Sequence, residues 1–431
     1  MHAALVERPS SCIRRLGGKR RGEMQFTRFL RNDAVTPQEI ATHAAAGTAA
    51  RAAGRDVLVI QDTSELSLGG RRARANGYGP IGKGGALRGL LLHVVLAVDA
   101  TTGELLGLID ANVWNRDKGK VTSRRSRATT NKESQRWIDG SARAAVLAGA
   151  RSITMVSDRE SDVYEYFARR PPNVHQIARA CQDRQIEVEN ISACLLFEFI
   201  DRLPEQGRFS VEIPAAPGRK ARVAELAIRF SPVVLRKPQH GAADLPATLP
   251  LTVVDVRETS EPDDGKPIHW RLLTSHTIAH LGEARGVVNS YRGRWTIEVY
   301  FHTVKTAGVN IEAADIGNPS AMMNLVAAGC VAAVTILQLV RARDGNTGQK
   351  LTDAFDADDQ PTIEALSTQL EGDTERQKNP HPKGSLAFAA WVIARLGGWT
   401  GYYGKPGPLV MRRGLEDFRR IKYGVALKLR L

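Results

Sequence analysis

The chain has 431 residues, 42% of them hydrophobic and 25% charged, and its formal net charge is +14. This composition excludes a disordered or fibrous protein, and the length suffices for two or three domains. No apolar run of eighteen residues is present and the start lacks an apolar signal core, so we expect a cytoplasmic protein without a membrane span. The positive charge favours a nucleic-acid partner, although an ordinary basic enzyme has the same balance.

The first part of the chain is predicted to contain helices and short buried strands. Residues 36–51 open with Thr36 and Pro37, a typical helix start. Residues 55–60 and 152–157 are apolar runs that predict buried strands, the first ending at Asp62 and the second at Asp158. The other elements predicted in this part are two strands within 90–114 with a turn at 101–103, a helix over 134–149, a helix from 163 and a strand over 175–180.

The rest of the chain has different patterns. From about 185 to 275, alternating runs such as FSVEI and LTVVDVRE predict antiparallel strands, which we interpret as a β-rich insertion. Helices are predicted over 282–308 and 319–343, followed by an acidic linker within 353–383 and a helical tail from 386. The predicted division of the chain is therefore 1–50, 51–184, 185–275, 276–345, 346–385 and 386–431.

The segment YRGRWTIEVYFHTVK combines side chains that rarely share a helix face. On a regular α-helix, one narrow stripe about 21 Å long holds Tyr291, Arg294, Glu298 and Lys305. An aromatic, two cations and a carboxylate make a poor core face but a good surface for a phosphate backbone. The alternative is a solvated helix face with an Arg294–Glu298 ion pair, and it is the better explanation for an arbitrary helix.

Asp62 and Asp158 each follow a predicted buried strand. Adjacent strand ends can bring two carboxylates within a few ångströms, where they repel each other unless cations lie between them. Two Mg²⁺ or Mn²⁺ ions would satisfy such carboxylates, activate a water molecule and stabilise the leaving oxygen in phosphodiester cleavage. Taken singly, each aspartate is better explained as a turn or helix-capping residue.

Three ordered motifs together resemble the bacterial insertion-sequence transposases of the DDE class, in the branch founded on insertion sequence four. The spacing Tyr-(2)-Arg-(3)-Glu-(6)-Lys, the hallmark of that branch, is present from Tyr291 to Lys305. The segment VLVIQDTSELSL resembles the family's first-aspartate motif, and MVSDRESDVYEYF resembles its second. The resemblance extends from about residue 28, in RFLRNDAVTPQEI, to the tail LGGWTGYYGKPGPLVMRRGLEDF.

The resemblance implies an α/β fold with a ribonuclease-H-like catalytic domain, a β-rich insertion between the second aspartate and the glutamate, and a helical C-terminal region. It implies that Asp62, Asp158 and Glu298 are the catalytic residues and hold two Mg²⁺ ions, with Mn²⁺ as a possible substitute. Family members nick the transposon end, form a hairpin on it, open the hairpin and join the end to target DNA. The implied activity is therefore metal-dependent strand cleavage and strand transfer.

The resemblance also implies DNA contacts. Trp270 matches, by spacing and flanking residues, a tryptophan that stacks on a base flipped out near the cleavage site; a core aromatic between sheets is the alternative. Tyr291, Arg294 and Lys305 would grip the phosphates around that base, and Arg179 is a further candidate for a phosphate contact. The basic residues Arg124, Arg125, Arg127 and Lys132 would either track a DNA backbone or form a solvated loop.

The implied partners are double-stranded DNA, as transposon ends and target, and a second copy of the chain in a synaptic homodimer, with the tail after 386 as a candidate interface. No nucleotide cofactor is expected, because in GYGPIGKG the residue Gly84 replaces the Ser or Thr of a phosphate loop. Fewer residues precede the RFLRN-like segment than in full-length members, so 1–50 is expected to be a shortened DNA-binding segment. Two alternatives remain: a non-transposing DNA-binding inhibitor, and a simple metal-dependent DNA nuclease.

Overall fold

The structure is a computed structural model that describes residue 5 and residues 11–68, 77–116, 133–188, 191–213, 220–263 and 265–428. The chain is a mixed α/β protein: twelve described strands form one sheet, and helices pack against it. The basic cluster Arg124, Arg125, Arg127 and Lys132 lies outside the described residues.

The elements are numbered here in chain order. The strands are β1 Asp56–Ser67, β2 Gly79–Ile81, β3 Leu87–Asp99, β4 Leu105–Trp114, β5 Ser152–Ser157, β6 His175–Arg179, β7 Gln185–Val188, β8 Ile191–Leu195, β9 Gly207–Ile213, β10 Arg222–Arg236, β11 Thr248–Glu258 and β12 His269–Thr274. The α-helices are α1 Ile13–Gly17, α2 Arg20–Leu30, α3 Pro37–Ala52, α4 Gln135–Arg143, α5 Tyr164–Ala168, α6 Leu196–Arg202, α7 Leu281–Gly293, α8 Thr296–His302, α9 Pro319–Ala342, α10 Gln360–Leu370, α11 Leu386–Leu396 and α12 Pro408–Lys428.

The strand order explains how distant parts of the chain come together. The path through the sheet is β2-β3-β1-β5-β6-β12-β11-β10-β7-β8, with β4 on β3 and β9 on β10. Strand β1 is antiparallel to β3 and parallel to β5, and β5 is parallel to β6. The antiparallel strands predicted between 185 and 275 are present, interrupted by α6, and they continue the same sheet because β12 pairs with β6. The division of the chain into domains stays a prediction.

Strand β1 is longer than its apolar run predicted. It does not end near Asp62 but continues to Ser67, because β3 pairs with it along its whole length, up to Ser67↔Gly89. The parallel pairing with β5 stops earlier, at Ile60↔Val156. Beyond that pair, one edge of β1 has no described strand partner, and Asp62 lies on this segment.

The helix predicted over 282–308 is broken. Helix α7 ends at Gly293 and α8 begins at Thr296. Between them the backbone tightens to i,i+3 hydrogen bonds, such as Arg294 N to Tyr291 O at 3.1 Å, and after α8 it widens into a π-helix over Thr303–Ala307. The tightening coincides with a close approach to the sheet, since a Cβ on Gly293 would lie 2.5 Å from Leu58 Cδ2.

The helix predicted over 319–343 is confirmed as α9, and most of its residues are buried. Helix α9 is the one described helix that is long and apolar enough to cross a membrane, and 89% of its most apolar window is buried inside the protein. It packs against β4, α3 and α11. This helix therefore serves as the central core element, which accounts for its hydrophobicity.

The helix predicted over 36–51 is confirmed as α3, and Thr36 caps it by accepting a hydrogen bond from Glu39 N at 3.2 Å. The linker predicted within 353–383 is wrong at α10, where Pro361 stands in the first turn and Ile363 and Leu366 are buried. Because the segment is mostly acidic, its few apolar residues were not recognised as a helix, but they are enough to anchor a short helix on the core.

Candidate active site

The fold brings the three predicted acidic residues together at one edge of the parallel strands. Asp62 lies on β1 and Asp158 directly follows β5. Each is two residues beyond the last parallel pair, Ile60↔Val156, so both lie at the same level of the sheet. Glu298 lies on α8, which packs against β1. Three motifs that are far apart in sequence thus meet at one place.

The electrostatics of Asp62 show how closely the acids interact. Burial raises the pKa of Asp62 from its ordinary 3.8 to about 6, although Arg294 and the Thr63 amide lower it. The negative charges of Glu298 and Asp158 raise it further. Asp158 and Glu298 are thus both close enough for their charges to act on Asp62, as expected for groups that share a site.

Arg294 is the cation at the centre of this cluster. Its Nη1 donates to Asp62 Oδ2 at 2.8 Å, and its Nη2 lies 3.4 Å from Glu298 Oε1. The Arg294 side chain is only 11% exposed, whereas that of Glu298 is 44% exposed. Burial opposes the arginine charge, but the carboxylates of Asp62 and Asp158 outweigh burial and hold the pKa of Arg294 above its ordinary value.

The three acids have the right ligand atoms for a divalent metal, but their side chains are not arranged around a common metal position. Asp62, Asp158 and Glu298 offer only carboxylate oxygens, the ligands that Mg²⁺ prefers. Within the described part of the chain, no group of three or more His, Cys, Asp or Glu side chains is arranged to hold a metal ion. The Arg294 guanidinium contacts both Asp62 and Glu298 and supplies positive charge where a metal would. The site is an arginine-neutralised carboxylate cluster.

An aromatic patch lies beside Asp158. The rings of Trp270 and Tyr291 meet edge to face, with centroids 5.5 Å apart and planes at 62°. Burial, and then the charge of Asp158, raise the pKa of Tyr291. Arg179 is hydrogen-bonded to Tyr291, and its Nη2 also donates to His269 O at 3.0 Å. The predicted DNA contacts Trp270, Tyr291 and Arg179 therefore form one patch next to an acidic residue.

The helical stripe predicted for this region is wrong in its details. Tyr291 is buried on α7, which packs against β5 and β11 of the sheet. Lys305 lies on the π-helical segment, half-buried, and makes no hydrogen bond or ion pair with any described residue. The structure thus joins Tyr291, Arg294 and Glu298 to the site, and it leaves Lys305 outside the carboxylate cluster.

Two supporting residues were missed in the sequence. Arg136 on α4 donates from Nε to Thr63 Oγ1 at 2.7 Å and from Nη2 to Glu160 Oε2 at 2.7 Å. Asp162 is buried in an ion pair with Arg184 at 2.8 Å. Asp162 also accepts hydrogen bonds from two backbone amides near 181, so it ties the loop after Asp158 to the chain leading into β7.

Compared with models of known protein families, the chain matches none. The resemblance to DDE transposases therefore stays a prediction that rests on the motifs and on the geometry described above.

Proposed function

We propose that this chain is a DNA transposase of the DDE class that cuts and rejoins DNA strands with Asp62, Asp158 and Glu298. The observation that carries the proposal is the meeting of these acids, from three separate motifs, around one buried arginine. The antiparallel strands β4, β3 and β1, followed by the parallel strands β5 and β6, support a ribonuclease-H-like core. The net charge of +14 agrees with a nucleic-acid partner.

The side chains around the acids suit a DNA backbone. A phosphate approaching the cluster meets the guanidinium groups of Arg294 and Arg179 and the hydroxyl of Tyr291, all of which can donate hydrogen bonds to it. Since Arg294 is bound to Asp62 and Glu298, a phosphate that attracts it also frees these carboxylates. Trp270 would stack on a flipped base at the edge of the same patch. Lys305 would contact a more distant phosphate.

Two Mg²⁺ ions, or Mn²⁺, would be held by Asp62, Asp158 and Glu298, and when bound they would activate the attacking oxygen and stabilise the leaving oxygen. The residues of the chain have complementary tasks. Below about pH 6, Asp62 must first give up a proton because its pKa is raised, and Arg294 must exchange its carboxylate partners for a phosphate. A synaptic homodimer on transposon ends in the cytoplasm, with the tail after 386 at its interface, belongs to the same proposal.

The test is a cleavage reaction in the presence of Mg²⁺ with duplex DNA taken from the two flanks of the gene, where the proposal expects terminal inverted repeats. We expect 3′-OH nicks, hairpins and strand-transfer products from the full chain, and none from Asp62→Ala, Asp158→Ala or Glu298→Ala. Asp56→Asn, at the far end of β1, is the control and should still cut. Nicks alone would favour a simple nuclease, and DNA binding without cleavage would favour an inhibitor. An Asp62→Ala protein that still cuts would refute the site.

A further inference from the structure

We infer that a buried chain of hydrogen-bonded side chains behind Asp62 positions the two aspartates relative to each other. This buried bridge consists of Thr63, His93, Gln61, Tyr166 and Ser157. The inference rests on the proposed function, because it assigns these positioning residues to the same site.

The first half of the bridge lies on β1 and β3. Because side chains alternate along a strand, Gln61 and Thr63 point to the face opposite Asp62. Thr63 Oγ1 lies 2.9 Å from His93 Nδ1, and His93 Nε2 lies 3.2 Å from Gln61 Oε1. Arg136 donates its Nε proton to Thr63 Oγ1 at 2.7 Å. Because the amide oxygen Gln61 Oε1 can only accept, His93 donates to it from Nε2, and an imidazole with its proton on Nε2 accepts at Nδ1 the proton of the Thr63 hydroxyl.

The second half of the bridge reaches the Asp158 loop. Gln61 Nε2 donates to the Tyr166 hydroxyl at 3.2 Å, and that hydroxyl is hydrogen-bonded to Ser157 Oγ at 3.3 Å. Ser157 Oγ in turn lies 2.6 Å from Ser161 Oγ, which donates to the carbonyl of Asp158 at 2.7 Å. The bridge thus runs from the residues on either side of Asp62 to the residue before Asp158, and through Ser161 to Asp158 itself.

The bridge lies where the two strands are no longer paired. Backbone pairing between β1 and β5 stops at Ile60↔Val156, so backbone hydrogen bonds do not connect the two segments at the level of the aspartates. The side chains of Gln61, Tyr166 and Ser157 make the connection there. A displacement of about 1 Å in such a site can lower a rate about a hundredfold. Holding Asp62 and Asp158 at a fixed separation therefore explains why a polar network is buried here.

The side chains at the centre of the bridge are enclosed by close packing. Gln61 and Tyr166 are fully buried, and the Trp137 ring packs edge to face on His93 with centroids 4.9 Å apart. Gly140 lets helix α4 come close, since a Cβ there would lie 2.3 Å from Gln61 Oε1. Buried polar groups destabilise a core unless every one is paired, and an apolar core of the same shape would fold without them. Positioning accounts for the retention of polar side chains here.

Helix α5 supplies a matched pair of variants for the test. Tyr166→Phe removes the hydroxyl that links β1 to β5. Tyr164→Phe removes the hydroxyl of a tyrosine that is equally buried as a residue and lies two positions away; this hydroxyl donates to Pro246 O at 2.9 Å and is not part of the bridge. The full-length variants are compared by Mn²⁺ affinity without DNA and by single-turnover cleavage. We expect Tyr166→Phe to weaken Mn²⁺ binding and slow cleavage by about tenfold or more without changing KM for DNA. Tyr164→Phe should stay within about twofold of the natural chain in both measurements.

Gln61→Met is a second test that keeps the size of the side chain but breaks the bridge in the middle, and it should behave like Tyr166→Phe. If the natural chain cuts DNA but Tyr166→Phe and Tyr164→Phe have the same effect, the inferred role of the bridge is refuted while the proposed function stands. If the natural chain neither binds Mn²⁺ nor cuts DNA, the proposed function fails instead. Amide hydrogen exchange over residues 157–162 then decides about the bridge: faster exchange in Tyr166→Phe than in Tyr164→Phe supports it, and equal exchange refutes it.

Discussion

Replacing Asp62 by asparagine is expected to stabilise the metal-free protein above pH 6 while abolishing cleavage. The pKa of Asp62 is raised from 3.8 to about 6, mainly by burial. A group whose pKa is raised on folding favours the folded state below its unfolded pKa and loses that contribution as the pH rises through its folded pKa. Asparagine has a similar shape but no charge, so the variant escapes the penalty that the natural chain carries at neutral pH.

The magnitude follows from the two pKa values. A rise from 3.8 to about 6 corresponds to about 3 kcal/mol once both states are ionised. The difference between the variant and the natural chain should grow from about 0.5 kcal/mol at pH 4 to about 3 kcal/mol at pH 8. Most of the increase falls between pH 4 and 6. These values already include the attraction of Arg294, which lowers the pKa of Asp62 and is outweighed by burial.

The assay is thermal or urea unfolding in the presence of EDTA at pH 4 and pH 8. Asp56→Asn, at the other end of β1, is the control with the opposite sign. Arg151, and then Ser152, lower the pKa of Asp56 to about 2, so its charge stabilises the fold at pH 8 and the control should be less stable there. The reasoning is refuted if Asp62→Asn is no more stable than the natural chain at pH 8, or if it gains equally at pH 4 and pH 8.

Three further outcomes follow from the same geometry. Mn²⁺ affinity, measured by calorimetry, should fall by up to about tenfold per pH unit below pH 6, because Asp62 must lose its proton to bind metal; equal affinity at pH 5 and pH 7 would contradict this. Trp270→Ala should weaken binding of an end duplex at fixed salt by about 1–3 kcal/mol, with Trp270→Phe largely restoring it, whereas a purely structural Trp270 would leave affinity unchanged. Gly140→Ala should lower the unfolding temperature despite the better helix propensity of alanine, since its methyl group collides with Gln61; an unchanged or higher temperature would show that α4 can move away.

The sequence was sufficient to predict the buried strands that lead to Asp62 and Asp158. Short apolar runs predict parallel strands, and parallel strands bring their carboxyl ends to one edge of a sheet. The extension of β1 past Asp62 was not predictable, because it depends on pairing with β3, whose length no local pattern in β1 encodes. The register Ile60↔Val156 likewise emerges only when the strands meet.

The helix around Glu298 shows a second limit of sequence reasoning. The regular period of 3.6 residues placed four residues in one stripe, but the chain tightens before Glu298, where Gly293 lies close to Leu58, and Tyr291 is buried. Arg294, at this tightened turn, is paired with Asp62. A periodic pattern cannot anticipate a tertiary contact between residues more than 200 positions apart.

The buried bridge and the Asp162–Arg184 pair left no local signal either. Gln61 and Tyr166 are 105 residues apart, and each is unremarkable in its own segment. Asp162 and Arg184 are 22 residues apart, on opposite sides of β6 in the chain. Such supporting contacts depend on the assembled sheet, whereas the acidic residues could be found because each follows or occupies an element with its own clear pattern.

Anomalous diffraction from crystals of the full chain, bound to end DNA and soaked in Mn²⁺, tests whether the three acids hold the metal ions. We expect two Mn²⁺ peaks, about 3.5–4 Å apart, coordinated by Asp62, Asp158 and Glu298, with the Arg294 guanidinium moved onto a DNA phosphate. Mn²⁺ bound elsewhere, or Arg294 still paired with Asp62 and Glu298 while DNA occupies the site, would contradict this expectation.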